Sequence, residues 1–168
     1  QSYTLNRLTM AGRHLDSMVV RFGGHGTTFG IEPVGGDAYV WSGLIQTDSN
    51  GDAVASYLCR FKYTPGGEVQ FGDAGVDTYT EIFSGTNEHG SVLVDAKNKT
   101  VALRTTDTTS AKESRVELLS MSDIKNGVYD NVLYTYHFTD DMNAAALQGI
   151  TIDGIDLYLS FGSTLSDF

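Results

Sequence analysis

Apolar and polar positions alternate along much of this chain in short runs, the period of a β-strand with one buried face, and the runs come in pairs joined by turn residues. Three of these pairs echo one another. His25-Gly26 opens HGTTFGIEPVGGDAYVWSG, His89-Gly90 opens HGSVLVDAKNKTVALRTTD, and Gln148-Gly149 opens QGITIDGIDLYLSFGS. Each is an apolar run, an acid, a turn and a second apolar run, so one hairpin is written three times. A second kind of hairpin occupies residues 55–71 after the first echo and 114–138 after the second, and residues 2–20 supply the same kind before the first. The echoes begin 64 and then 59 residues apart. A repeat of that length built from four strands predicts a β-propeller blade.

Local chemistry supports the turns. Ala11-Gly12-Arg13-His14, Pro33-Val34-Gly35-Gly36-Asp37, Pro65-Gly66-Gly67 and Asn98-Lys99 each separate two strand-like runs. Residues 57–63 place Tyr57, Cys59, Phe61 and Tyr63 on one face and Leu58, Arg60 and Lys62 on the other, as in a half-buried strand. Residues 72–88 read as a Gly- and Asp-rich loop carrying one edge strand at YTEIF. The stretch ESRVELLSMSDIKNG has helical propensity, but its place in the repeat predicts a strand and then a turn at Asn126-Gly127.

The predicted class is therefore all-β: a single β-propeller domain of four-stranded blades, about three blade equivalents in all. The repeat units fall at about 1–22, 23–72, 89–138 and 146–163. The two ends are out of step, because the chain opens on a second-kind hairpin and closes on a first-kind one. This pattern suits a segment of a larger propeller or a ring completed by another copy.

Composition narrows the function. With 40% apolar and 11% aromatic residues in 168, the chain can bury a core, and 19 glycines against two prolines suit short strands and tight turns. A net charge of −10 argues against a partner held by its phosphate backbone, so nucleic acid is not expected. No apolar stretch approaches the roughly 20 residues of a membrane helix, and residues 1–20 lack the apolar core of a signal peptide, so no membrane insertion is expected. The lone Cys59, set in an alternating run, reads as a small buried apolar side chain.

The runs GHGTTFGIEPVGGDAYVWSG (24–43), YLCRFKYTPGGEV (57–69) and ALQGITIDGIDLYLSFGS (146–163) resemble the propeller of phage receptor-binding tail proteins. The same TagC-like domain occurs in secreted bacterial proteins labelled teichoic acid biosynthesis protein C, and more distantly in helveticin-type bacteriocins. The resemblance spans most of residues 2–163. It implies a propeller, five-bladed at full length, that recognises glycopolymers of a Gram-positive cell wall from the virion tail or outside the cell. Its partners would be bacterial surface polysaccharide and either further copies or a neighbouring propeller segment. The chain departs from the full pattern by lacking an opening hairpin and at least one later blade.

The candidate ligand-binding residues are His25, Glu32, Trp41, Arg60 and His89. His25 and Glu32 flank a strand expected beside the central channel, where they can meet sugar hydroxyls; alternatively they satisfy backbone groups and a turn. His89 and Gln148 occupy the position of His25 in later units, which favours a role in the fold. Trp41 is either a platform for a sugar ring or a filler between blades. Arg60 and Lys62, and separately Arg104, are the cations that an anionic polymer would meet. Asp48, Asn50 and Asp52 resemble the start of a calcium loop, but Ala53 and Cys59 stand where glycine and glutamate are required, so an Asx-rich turn is the better reading and no metal is predicted. No cofactor is expected.

Signs of catalysis are thin. The sequence has no G-x-S-x-G, H-E-x-x-H or C-x-x-C, and no phosphate-cradling loop, so no catalytic residue is assigned. A carboxylate pair such as Glu32 with Asp95 would keep a secreted glycan hydrolase open. Three readings compete: a glycopolymer-binding propeller of a phage tail, that hydrolase, and a bacteriocin-like or structural propeller without its own ligand.

Overall fold

The computed structural model describes residues 2–24, 29–84, 91–106, 114–144 and 146–162. Strands β1 (Tyr3–Leu8) and β2 (His14–Val20) form the first hairpin, and β3 (Gly30–Val34), β4 (Asp37–Thr47) and β5 (Ala53–Lys62) follow. The chain continues through β6 (Glu68–Val69), β7 (Val76–Ser84), β8 (Ser91–Asp95), β9 (Thr100–Thr106) and β10 (Ser114–Ser120). Helix α1 (Met121–Lys125), β11 (Val132–His137), helix α2 (Asp140–Ala144), β12 (Ala146–Asp153) and β13 (Asp156–Gly162) complete it. Two complete antiparallel sheets have the orders β3-β4-β5-β7 and β8-β9-β10-β11. They are flanked by the sheet β1-β2-β6 on one side and the hairpin β12-β13 on the other. The fold is a partial propeller of four-stranded blades.

Alternation along the strands explains the stacking. In β4 and β5, Val40, Leu44, Cys59 and Phe61 point to the first sheet and join Leu5, Met18 and Val20. Trp41 and Leu58 point the other way, into a layer with Val92, Val101, Leu103, Leu119, Met121 and Ile124. A third layer packs Leu93, Ala102, Val116 and Leu118 against Ile150, Ile152, Leu157 and Leu159 of the last hairpin. The two central sheets are thus covered on both faces. Leu58, expected on a polar face, is fully buried for this reason. The inner strands touch directly: a Cβ at Gly30 would clash with Val94 of β8, so β3 carries glycine there.

Two expectations are corrected. Residues 68–71 do not return alongside β5; β6 runs parallel to β2, and Val19 and Arg21 donate their amides to the carbonyls of Gly67 and Val69 at 2.9 and 2.8 Å. The Pro65-Gly66-Gly67 turn carries the chain back to the preceding sheet, where Val69 is buried beside Met18 and Val20. The outer strand beside β5 is β7, which the sequence reading gave as an edge strand within a loop. The second correction is α1. Ser120 caps it, its hydroxyl accepting the Asp123 amide at 3.4 Å, and it ends at Asn126 and Gly127, the latter at φ 76°. Burial of Met121 and Ile124 repays the helical turn, so a short helix stands where only a turn was expected.

Candidate functional site

The joint between the two complete sheets is built on Glu32. Its position in β3, on the same face as Gly30, aims it at the following sheet, and it is 4% exposed. Three donors converge on its carboxylate: Trp41 Nε1 at 3.0 Å and Arg60 Nε at 2.7 Å on Oε2, and Lys125 Nζ at 2.6 Å on Oε1. Burial alone would raise the Glu32 pKa, but the hydrogen bonds from Lys125, Arg60 and Trp41 outweigh it and hold the group down at about 2.

Around this carboxylate the aromatic groups are ordered. Trp41 is fully buried and stacks on Tyr79 with ring centroids 5.2 Å apart. The Arg60 guanidinium lies 3.7 Å from the Tyr39 ring centroid and also reaches Asp77 Oδ2 at 3.0 Å. Above the buried layer a polar cleft of about 580 Å³ opens between β5, β7 and the end of α1, lined by Arg60, Asp77, Thr78, Tyr79, Lys125 and Tyr129 among others. Two cations and two carboxylates, Glu32 and Asp77, balance its charge. Donors, acceptors and two tyrosine rings thus meet at one opening, a set that suits a polyhydroxylated ligand.

Of the sequence-predicted residues, the structure brings Glu32, Trp41 and Arg60 into one cluster. Arg60 lines the cleft, whereas Glu32 and Trp41 lie beneath it, and Trp41 keeps no face for a sugar. His25 and His89 lie outside the described residues. Lys62 pairs with Asp37 at 2.8 Å on the surface, and Arg104 lies 5.7 Å from the Phe138 ring centroid and donates to Ser114 Oγ at 3.3 Å. Asp48 Oδ1 accepts the amides of Asn50 and Asp52, both at 2.9 Å, which is an Asx turn. Cys59 is buried and its thiol is pushed up to about 11 by desolvation.

Sequence reasoning missed Lys125, Asp77, Tyr79 and Tyr129. The available signal for Lys125 was the Ser120-x-x-Asp123 start of a capped helical turn, which aims the residue at its end. Asp95, the second acid considered for hydrolysis, has its own partners: the Asn98 amide at 2.9 Å, Asn98 Nδ2 at 2.6 Å and the Gly154 amide of the β12-β13 turn at 2.8 Å. These bonds, led by the Asn98 amide, hold it at about 2. The general acid of a glycosidase has a raised pKa, whereas both of these carboxyls are shifted down.

Comparisons with known proteins agree with this architecture. Residues 1–167 match a family described as a phage 5-bladed beta propeller receptor binding platform domain. Over 168 residues the chain is 32% identical to the putative major teichoic acid biosynthesis protein C of Bacillus subtilis (strain 168), covering 99% of this chain and 36% of that protein. Among solved structures it is similar to the tail fiber of Staphylococcus aureus phage P68, with a TM-score of 0.66 and 28% identity, covering 94% of this chain and 28% of the fiber chain. The chain therefore spans about a third of the length of the relatives it matches.

Proposed function

Since the chain belongs to the family of phage five-bladed β-propeller receptor-binding platform domains, we propose that it binds a teichoic-acid-like glycopolymer of the bacterial surface, as part of a phage tail receptor-binding protein or tail-like particle. The observation that carries this reading is the cleft over the Glu32 joint, where Arg60 and Lys125 stand beside Asp77, Tyr79 and Tyr129. The cations meet phosphate oxygens, Asp77 and the tyrosine hydroxyls meet sugar or polyol hydroxyls, and the rings cover apolar ring faces. The names of the two relatives, one a teichoic acid biosynthesis protein and the other a tail fiber, support the same class of partner. Family membership also accords with a site of action on the virion tail or outside the cell.

The net charge of −10 repels a polyanion at long range. Attachment then rests on short-range contacts, and salt screens the repulsion rather than the contacts. Several weak sites on one particle gain avidity without new contacts. The test is adsorption of the fluorescently labelled chain to Gram-positive wall sacculi before and after chemical removal of covalently attached glycopolymer. Binding lost with the polymer is the expected result; binding to the stripped sacculi would refute the reading.

A further inference from the structure

The four charged groups of the Glu32 cleft are not equally open. The side chains of Glu32 and Arg60 are 5% and 12% exposed and meet at 2.7 Å, with the Arg60 guanidinium lying on the Tyr39 ring. The open pair is Lys125, at 34%, and Asp77, at 54%. Asp77 stands on β7 of one complete sheet, and Lys125 ends α1, which leads into β11 of the next. Lys125 gives one N–H to Glu32 Oε1 and has two more to offer, while Arg60 Nη1 takes one of the roughly four acceptor positions of the Asp77 carboxylate. The opening therefore presents one cation and one anion to a ligand.

Asp77 has aromatic neighbours. Tyr79, two positions on along β7, lines the same opening, and so does Tyr129. Burial, and after it the charge of Asp77, pushes the Tyr79 phenol up to about 12, so at neutral pH it is an uncharged ring and hydroxyl. A carboxylate beside two tyrosines is a setting in which an ammonium group is held by charge and by ring faces together. Lys125, by contrast, meets the ligand as a compact cation suited to phosphate. A phosphate alone would face the like charge of Asp77, and an ammonium alone that of Lys125. A ligand carrying both leaves neither group opposed. The net charge of −10 points the same way, since it repels a polyanion but not a polymer whose phosphates are matched by cations.

Resting on the reading of the cleft as a glycopolymer site, we propose that it selects a zwitterionic repeat, with a phosphate at Lys125 and a primary ammonium group at Asp77, beside Tyr79 and Tyr129. An amino sugar and an aminoacyl ester both carry such an ammonium, and the same contacts take either. Asp77 is then the residue that distinguishes ammonium-bearing polymer from plain polyanion.

Equilibrium binding of wall teichoic acid with a measured content of primary amine tests it, at about 0.5 M salt so that long-range repulsion is screened. N-acetylation of the polymer, which neutralises ammonium from either source, should weaken binding to the parent chain about tenfold or more. Mild alkaline hydrolysis, which removes ester-linked ammonium alone, matches that loss if the ammonium is an ester and changes nothing if it is an amino sugar; either result supports the proposal. Asp77→Asn, with an unfolding transition like the parent's, should bind untreated and N-acetylated polymer alike, at the lowered affinity. Binding by the parent that N-acetylation leaves unchanged overturns the inference and leaves the glycopolymer reading standing. A parent that binds neither preparation overturns both, and a loss on acetylation that persists in Asp77→Asn overturns the role of Asp77.

Discussion

Glu32 of β3 and Lys125 at the end of α1 are 93 positions apart in sequence and meet at 2.6 Å, so one ion pair ties the inner strand of one sheet to the outer part of the next. Removing the carboxylate leaves Lys125 without its ion pair and Arg60, with only 12% of its side chain exposed, on Asp77 alone. Glu32→Gln should therefore lower unfolding free energy by about 2–4 kcal/mol. Lys125→Met, which leaves Glu32 with Arg60 and Trp41, should cost about 1 kcal/mol. Urea denaturation of both variants measures the difference, and equal losses would contradict the ranking.

Acid should loosen the same joints. Glu32 and Asp95 titrate at about 2 in the fold, below their ordinary values of 4.5 and 3.8. A depressed carboxyl contributes stability that is fully present above its unfolded value and is lost as pH falls through its folded one. Stability should thus hold from neutrality to about pH 5 and fall between there and about pH 2. The slope should be shallower in Glu32→Gln. An unchanged slope in that variant would show that Glu32 is not the titrating group.

Gly30 tests the packing of inner strands without touching charge. Because a Cβ there runs into Val94, Gly30→Ala should destabilise by about 1–3 kcal/mol through overpacking. Val94→Ala keeps the Cβ and amide that the new methyl also meets, so adding it should recover little of that loss, and a Gly30→Ala chain as stable as the parent would refute the contact.

Cys59 reports on the core between the first two sheets. Its thiol is buried and held near 11, chiefly by desolvation, so little thiolate exists at neutral pH. Ellman's reagent should label it no faster than the chain unfolds. Prompt labelling of the native chain would contradict the burial.

Much of the fold was legible because strand pairing follows short-range rules. The three echoed hairpins are β3-β4, β8-β9 and β12-β13, the Gly12 turn carries the positive φ that its glycine suggested, and the turn read at Asn98-Lys99 is present with Lys99 at φ 58°. The excursion of β6 was not legible, since residues 68–69 alternate as well beside β5 as beside β2 and only the turn geometry decides. The joint was half legible. Glu32, Trp41 and Arg60 stand out as polar or aromatic groups on known strands, but Lys125 reaches them only through a helix of one turn, and Tyr79 through an outer strand within an apparent loop. Of the two readings of Trp41, sugar platform or filler between blades, its burial beneath the next sheet fits the filler.

The central claim is that the cleft beside Arg60 and Lys125 contacts surface glycopolymer, and its most direct test is the affinity of purified wall teichoic acid for the chain and for Asp77→Ala and Tyr129→Ala. The Asp77 side chain is 54% exposed, and its loss leaves Arg60 on Glu32 with the fold intact. Measurable binding by the parent, weakened about tenfold or more by each substitution while unfolding transitions remain two-state, is the predicted result. Failure of the parent to bind, or variants that bind as tightly as the parent, would contradict it.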